Sequence, residues 1–174
     1  PFWSKIYEPL IRRAAGLGAL SGQPNGDLYE KAFAFCDVLI IGAGPTGLMA
    51  ALTAGRAGAD VILADEDSIM GGRLNGETLM IADQAGADWA SECVAELATL
   101  PNVRLMSRTT VTGAYDQGTY GALERLPQGA YDTHEGLPIE CFWRIVAKQT
   151  ILAAGALERS IAFADNDRPG IMTA

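Results

Sequence analysis

The sequence predicts an α/β domain, a central parallel sheet flanked by helices with a small antiparallel β-meander attached. Three observations predict it. Val38-Leu39-Ile40-Ile41 is a continuous apolar run of strand length, which suits a parallel strand covered on both faces. A glycine cluster follows, then apolar residues at helical spacing, then a second apolar run, Val61-Ile62-Leu63-Ala64, so strand, helix and strand succeed one another within about 30 residues. From residue 109 onward the helix–strand alternation stops, and short runs separated by turn residues fit antiparallel strands.

Residues 1–35 read as a leading arm and residues 36–174 as the domain. In the arm, Glu8-Pro9 followed by residues 10–15 suits a short helix with proline in its first turn, stopped by Gly16 or Gly18. Arg12 and Arg13 fall on its solvated face, and residues 21–26 form a turn or linker. After the first strand, Leu48, Ala51 and Leu52 define a helix that Gly58 can stop, and residues 60–65 the second strand. Trp89, Cys93, Val94, Leu97 and Leu100 mark one face of another helix, closed by Pro101, and residues 103–106 a third strand. In the meander, 109–115 and 119–125 flank Asp116-Gln117-Gly118, while 139–147 and 150–154 read as two further runs. Tyr115, Tyr120, Phe142 and Trp143 are expected to pack within that sheet.

Composition narrows the function. The 174 residues are 49% hydrophobic and carry a net charge of −8, which disfavours nucleic acid and anionic lipid as partners. Cys36, Cys93 and Cys141 are odd in number and form no CxxC pair, so they are read as buried thiols of a protein in a reducing cytoplasm. The single histidine, His134, lies in a polar loop and is given no role, and no metal is expected. Residues 38–55 are uncharged over the length of a membrane helix. Gly42, Gly44, Pro45 and Gly47 break that stretch where such a helix would have its middle, so no membrane span is expected. The start Pro1-Phe2-Trp3 lacks methionine, and the chain reads as a piece of something longer.

Gly42-Ala43-Gly44-Pro45-Thr46-Gly47 is a GxGxxG placed directly after an apolar strand and before a helix. Gly42 allows the tight turn, Gly44 lets a pyrophosphate approach the backbone, and Gly47 lets the helix pack on the strand. Amides at the helix start then face the negative charge. Asp65 closes the second strand, where a carboxylate can accept hydrogen bonds from ribose hydroxyls, and Glu66 beside it can share or take that role. Together these features predict a Rossmann-like FAD/NAD(P)-binding domain. An acid at this position repels a ribose 2′-phosphate, which favours NAD or FAD over NADP, with Arg73 the nearby cation that counts against this argument.

Asp65-Glu66 followed by Gly71-Gly72, and the later Thr150-Ile151-Leu152-Ala153-Ala154-Gly155-Ala156, resemble the GG and ATG signatures of two-dinucleotide-binding-domain flavoproteins. Residues 11–18, Gly155-Ala156-Leu157-Glu158-Arg159 and Asn166-Asp167-Arg168-Pro169-Gly170-Ile171-Met172 are similar to alpha subunits of heterotetrameric sarcosine oxidases, over nearly the whole chain. The resemblance implies a complex with beta, gamma and delta subunits that oxidatively demethylates sarcosine to glycine with O2, yielding H2O2 and 5,10-methylenetetrahydrofolate. It implies NAD in this domain, with FAD as second choice, and FAD, FMN and tetrahydrofolate elsewhere in the complex. Gly42, Gly44, Pro45, Thr46 and Gly47 would then hold the pyrophosphate and Asp65 or Glu66 the ribose. Gly72 and Arg73 would form the neighbouring loop, Thr110 and Val111 would present backbone to adenine, and Ala154 and Gly155 would complete the site.

Ala154 departs from the threonine usual in the ATG element, and Ser160 stands where proline commonly follows. The chain ends before a second GxGxxG and before the usual returning strand, so an incomplete domain, inactive alone, is expected, and no catalytic residue is assigned within it. The other readings are the nucleotide-binding subunit of an opine oxidase, proline dehydrogenase or hydrogen cyanide synthase complex, and a scaffold whose nucleotide is structural.

Overall fold

The computed structural model describes residues 2–16, 22, 24–78, 80–126, 138–156 and 161–170. His134 and Ser160 lie outside the described residues, as do parts of the three family-like stretches. A π-helical turn at Trp3–Tyr7 leads into helix α1 (Glu8–Ala14), which has proline in its first turn, and Arg12 pairs with Glu8 one turn back at 2.6 Å. Strand β1 (Leu28–Ile41) is much longer than its apolar half, and the predicted division between arm and domain at 35/36 falls inside it. Helix α2 (Pro45–Arg56) and β2 (Val61–Ala64) complete the first strand–helix–strand unit.

A tight ribbon of β3 (Met80–Ile81) and β4 (Gln84–Ala85), absent from the sequence prediction, turns at Ala82 and Asp83, both with positive φ. Then come α3 (Gly86–Thr99), β5 (Val103–Met106), β6 (Thr109–Tyr115), β7 (Thr119–Arg125) and β8 (Pro138–Leu152). The two runs expected at 139–147 and 150–154 are one strand. Lys148, which interrupts the apolar pattern, points its ammonium at Asp37 on β1 at 2.6 Å, so the polar residue pairs across the ladder without ending it.

One six-stranded sheet has the order β5-β2-β1-β8-β7-β6. Pairings among β5, β2, β1 and β8 are parallel, and those among β8, β7 and β6 antiparallel, so β8 joins the two halves. Alternation along β1 and β2 sends side chains to two cores. Ile40, Val61 and Leu63 meet Leu48, Ala51 and Leu52 of α2 and Ala90, Cys93 and Leu97 of α3. Leu39, Ile62 and Ala64 meet Ala122 and Ile145, with Tyr120 and Trp143 packed against them. Helices thus cover one face and the meander the other.

Of the four aromatics expected to pack, Tyr120 and Trp143 do so. The Trp143 indole donates to Glu124 at 2.7 Å and lies under the Arg104 guanidinium. Tyr115 and Phe142 are 63% and 42% exposed, because their positions send them to the outer face of the meander, which no described element covers. Among the described residues, no helix is long and apolar enough to cross a membrane.

All three cysteines are buried and unpaired. Burial pushes the Cys36 thiol up to about 11, and Cys93 and Cys141 rise for the same first cause. The native protein should therefore react slowly with a thiol reagent at mildly alkaline pH and expose three reactive thiols in denaturant. Native Cys36 keeps its proton to higher pH than the unfolded thiol. Its contribution to stability is complete below the ordinary value of 9.0 and is lost as pH rises toward about 11, which denaturant titrations across that window will read.

Candidate dinucleotide-binding site

The C-terminal ends of β1, β2, β5 and β8 meet where the glycine motif turns. Gly42, at φ +99°, donates its N–H to Ala64 O at 2.8 Å. A Cβ on Gly42 would lie 2.5 Å from Ala153 O and 2.9 Å from the Ala154 Cα, and one on Gly47 would overlap the Gly42 carbonyl oxygen. Helix α2 therefore leaves the strand at backbone contact. Gly44 differs: its φ of −69° and ψ of −175° suit any residue, and a Cβ there would meet no protein atom within 4 Å. Two of the three glycines are sealed by backbone, and the middle one faces open space. Pro45 and Thr46 are exposed beside it, and the Thr46 and Gly47 amides belong to the first turn, whose N–H groups have no intrahelical acceptor.

Asp65 is 8% exposed. Its Oδ2 accepts the Ala43 N–H at 2.5 Å and its Oδ1 the Asp67 N–H at 2.9 Å, while Glu66 beside it is exposed. The Ala43 carbonyl accepts the Gly71 N–H at 2.9 Å, so both backbone groups of Ala43 are held by the loop after β2. Gly72, at φ +55°, lies against Gly44, with 3.1 Å between a would-be Cβ and the Gly44 Cα. Arg73 pairs with Glu77 at 2.7 Å and is 71% exposed.

Thr109 donates its N–H to Asp65 O at 2.7 Å, which brings the exposed Thr110 to the same end of the sheet. Val111 turns instead to the meander-side core. Ala153 donates to Ile41 O at 2.8 Å, which seats Ala154 against Gly42, followed by Gly155 at φ +69°. Sequence reasoning missed Ala43 and Gly71 as site residues. An alanine that acts through its amide has no side-chain signature, whereas Gly71 could have been found from the doubled glycine.

Two open cavities lie away from the glycine turn, toward the other end of β2 and β5 and the middle of β1 and β8. One, of about 210 Å³, touches Phe35, Asp60, Asn102 and Arg104, and the other, of about 450 Å³, Phe35, Gln117 and Val146. The glycine turn is open to the surface, and its backbone donors together with the space at Gly44 fit the ADP portion that NAD and FAD share.

The sequence profile of the family described as FAD dependent oxidoreductase matches residues 37–142. The chain belongs to this family. It is 53% identical over 174 residues to sarcosine oxidase subunit alpha of Rhizobium meliloti (strain 1021), covering 100% of this chain and 18% of that protein. It is 43% identical over 183 residues to sarcosine oxidase subunit alpha of Corynebacterium sp. (strain P-1), again covering 100% of this chain and 18% of the relative. Homology to these alpha subunits, expected from the motifs, thus extends over the whole chain, which spans less than a fifth of their length. The crystal structure of L-proline dehydrogenase from P. horikoshii superposes with a TM-score of 0.60 at 25% identity, over 86% of this chain and 28% of that one.

The glycines should separate folding from binding. Gly47→Ala is expected to destabilise the protein by about 3 kcal/mol, because backbone must move to admit the methyl group. Gly44→Val should keep the wild-type melting temperature and abolish adenine-dinucleotide binding, with thermal melts and calorimetry as readouts; unchanged affinity in the folded variant would refute the assignment.

Proposed function

We propose that this chain is the adenine-dinucleotide-binding region of a sarcosine oxidase alpha subunit. The observation that carries the reading is the open space at Gly44 between two backbone-sealed glycines, within a chain homologous throughout to such subunits. Gly42, Gly44, Pro45, Thr46 and Gly47 receive the pyrophosphate, Asp65 or Glu66 serves the ribose, and Gly72 with Arg73 forms the flanking loop. The backbone of Thr110 and Val111 faces the adenine, and Ala154 and Gly155 lie behind the glycine turn. NAD is the proposed dinucleotide, and FAD, the cofactor in the family's description, is the alternative.

A bound dinucleotide supplies hydride or electron transfer at its nicotinamide or flavin end; this chain's own groups bind and orient the ADP end. The parent complex, with beta, gamma and delta partners in the cytoplasm, converts sarcosine, O2 and tetrahydrofolate to glycine, H2O2 and 5,10-methylenetetrahydrofolate. The reacting groups for that conversion lie outside this region.

Denaturing the purified full-length protein and identifying the released small molecule by absorbance and mass spectrometry tests the cofactor. NAD is the expected product. FAD from this site would replace NAD and favour an amine or amino-acid dehydrogenase complex, the second reading that the proline dehydrogenase superposition supports. Peroxide formation from sarcosine by residues 1–174 alone would overturn the placement of the chemistry elsewhere.

A further inference from the structure

The loop after β2 reaches the glycine turn through the Gly71 N–H, which donates to the Ala43 carbonyl at 2.9 Å. Met70 and Leu74 anchor this loop in the helix-side core. Between those anchors Gly71 has a φ of +133°, and a glycine there tolerates either orientation of the peptide that precedes it. Something must hold that peptide. The 3-10 turn Gly72–Asn75 ends on a side chain placed to do so: Asn75 Nδ2 donates to Ile69 O and to Met70 O, each at 3.3 Å. Two carbonyl oxygens face this amide, so its –NH2 and not its oxygen must lie there. The same amide packs on Gly71, where an added Cβ would lie 2.5 Å from Asn75 Oδ1.

A planar trans peptide points its carbonyl and its N–H in opposite directions. Holding the Met70 carbonyl therefore aims the Gly71 N–H at Ala43, and holding the Ala43 carbonyl in turn sets the direction of the Gly44 N–H. We propose that Asn75 is a positioning residue of the dinucleotide site: its amide clamps the Met70–Gly71 peptide, and through it the Ala43–Gly44 peptide, in the orientation that receives the pyrophosphate. The role presupposes that the glycine turn binds an adenine dinucleotide. Asn75 acts on that ligand only through the two peptides.

Two variants test the clamp in the ligand-free full-length protein. Asn75→Ala removes it, and Asn75→Asp replaces the –NH2 with an oxygen that repels both carbonyls. ADP binding is measured by calorimetry, folding by thermal melts, and the Gly71 amide by hydrogen exchange without ligand. Asn75→Ala should weaken ADP binding about fivefold, the scale of one hydrogen bond, and Asn75→Asp should weaken it further. Exchange at Gly71 should be faster in both variants, while the Gly42 amide, bonded to Ala64 O, keeps its rate.

Weaker ADP binding with unchanged Gly71 exchange in Asn75→Ala would overturn the proposal, because the side chain would then act on the ligand itself. Faster exchange with unchanged affinity would overturn it too, by separating the clamp from the site. Failure of Asn75→Ala to fold would do the same, since it would place the residue's role in the core. Wild-type protein that binds no ADP would instead sink the dinucleotide reading, and unchanged Gly71 exchange in Asn75→Ala sinks the clamp whatever the turn binds.

Discussion

Everything at the site depends on how closely α2 approaches the end of β1. Gly47 sits on the carbonyl of Gly42, and Gly42 in turn abuts Ala153 and Ala154 at the end of β8, so three backbone segments meet with only the Ala153 methyl group beside them. Only at that separation can the first amides of α2 and the turn at Gly44 share one small volume. An added methyl group at either contact would push the helix start outward, and the donors of the first turn would no longer converge.

That contact is held by a sheet that must be covered on both sides. The helices supply one cover, and the Arg56–Glu96 pair, with two N–H···O contacts of 2.6 Å, ties α2 to α3 at the surface. The other cover comes from the same strand that closes the glycine turn, because β8 pairs with β1 in parallel along its length while its first part also carries β7 and β6. Ile145 fills the meander-side core, and a few residues later Ala153 and Ala154 back Gly42. Packing and site geometry are thus coupled through one element.

Much of this was legible in the sequence because it is written locally. The apolar run 38–41, the glycine spacing, the helix closed by Pro101 and the paired runs 109–115 and 119–125 each depend on residues a few positions apart. The first half of β1 was not legible, since Tyr29, Glu30 and Lys31 are exposed and carry no burial pattern; their strand form comes from a ladder with residues 140–142 of β8. The break expected near Lys148 failed for a related reason, as its partner Asp37 is on another strand.

The sequence by itself determined the kind of site, because a turn without side chains followed by a helix start dictates which ligand chemistry can approach, whatever surrounds it. It also determined the family through stretches selective enough to be matched along the chain. Only the tertiary structure decided how Asp65 and Glu66 differ, how Ala43 is held by two loops and which aromatics are covered. Hydrogen-bond partners such as Ala43 and Asp65 are separated by 22 positions, and no periodicity or propensity records which oxygen a distant amide will face.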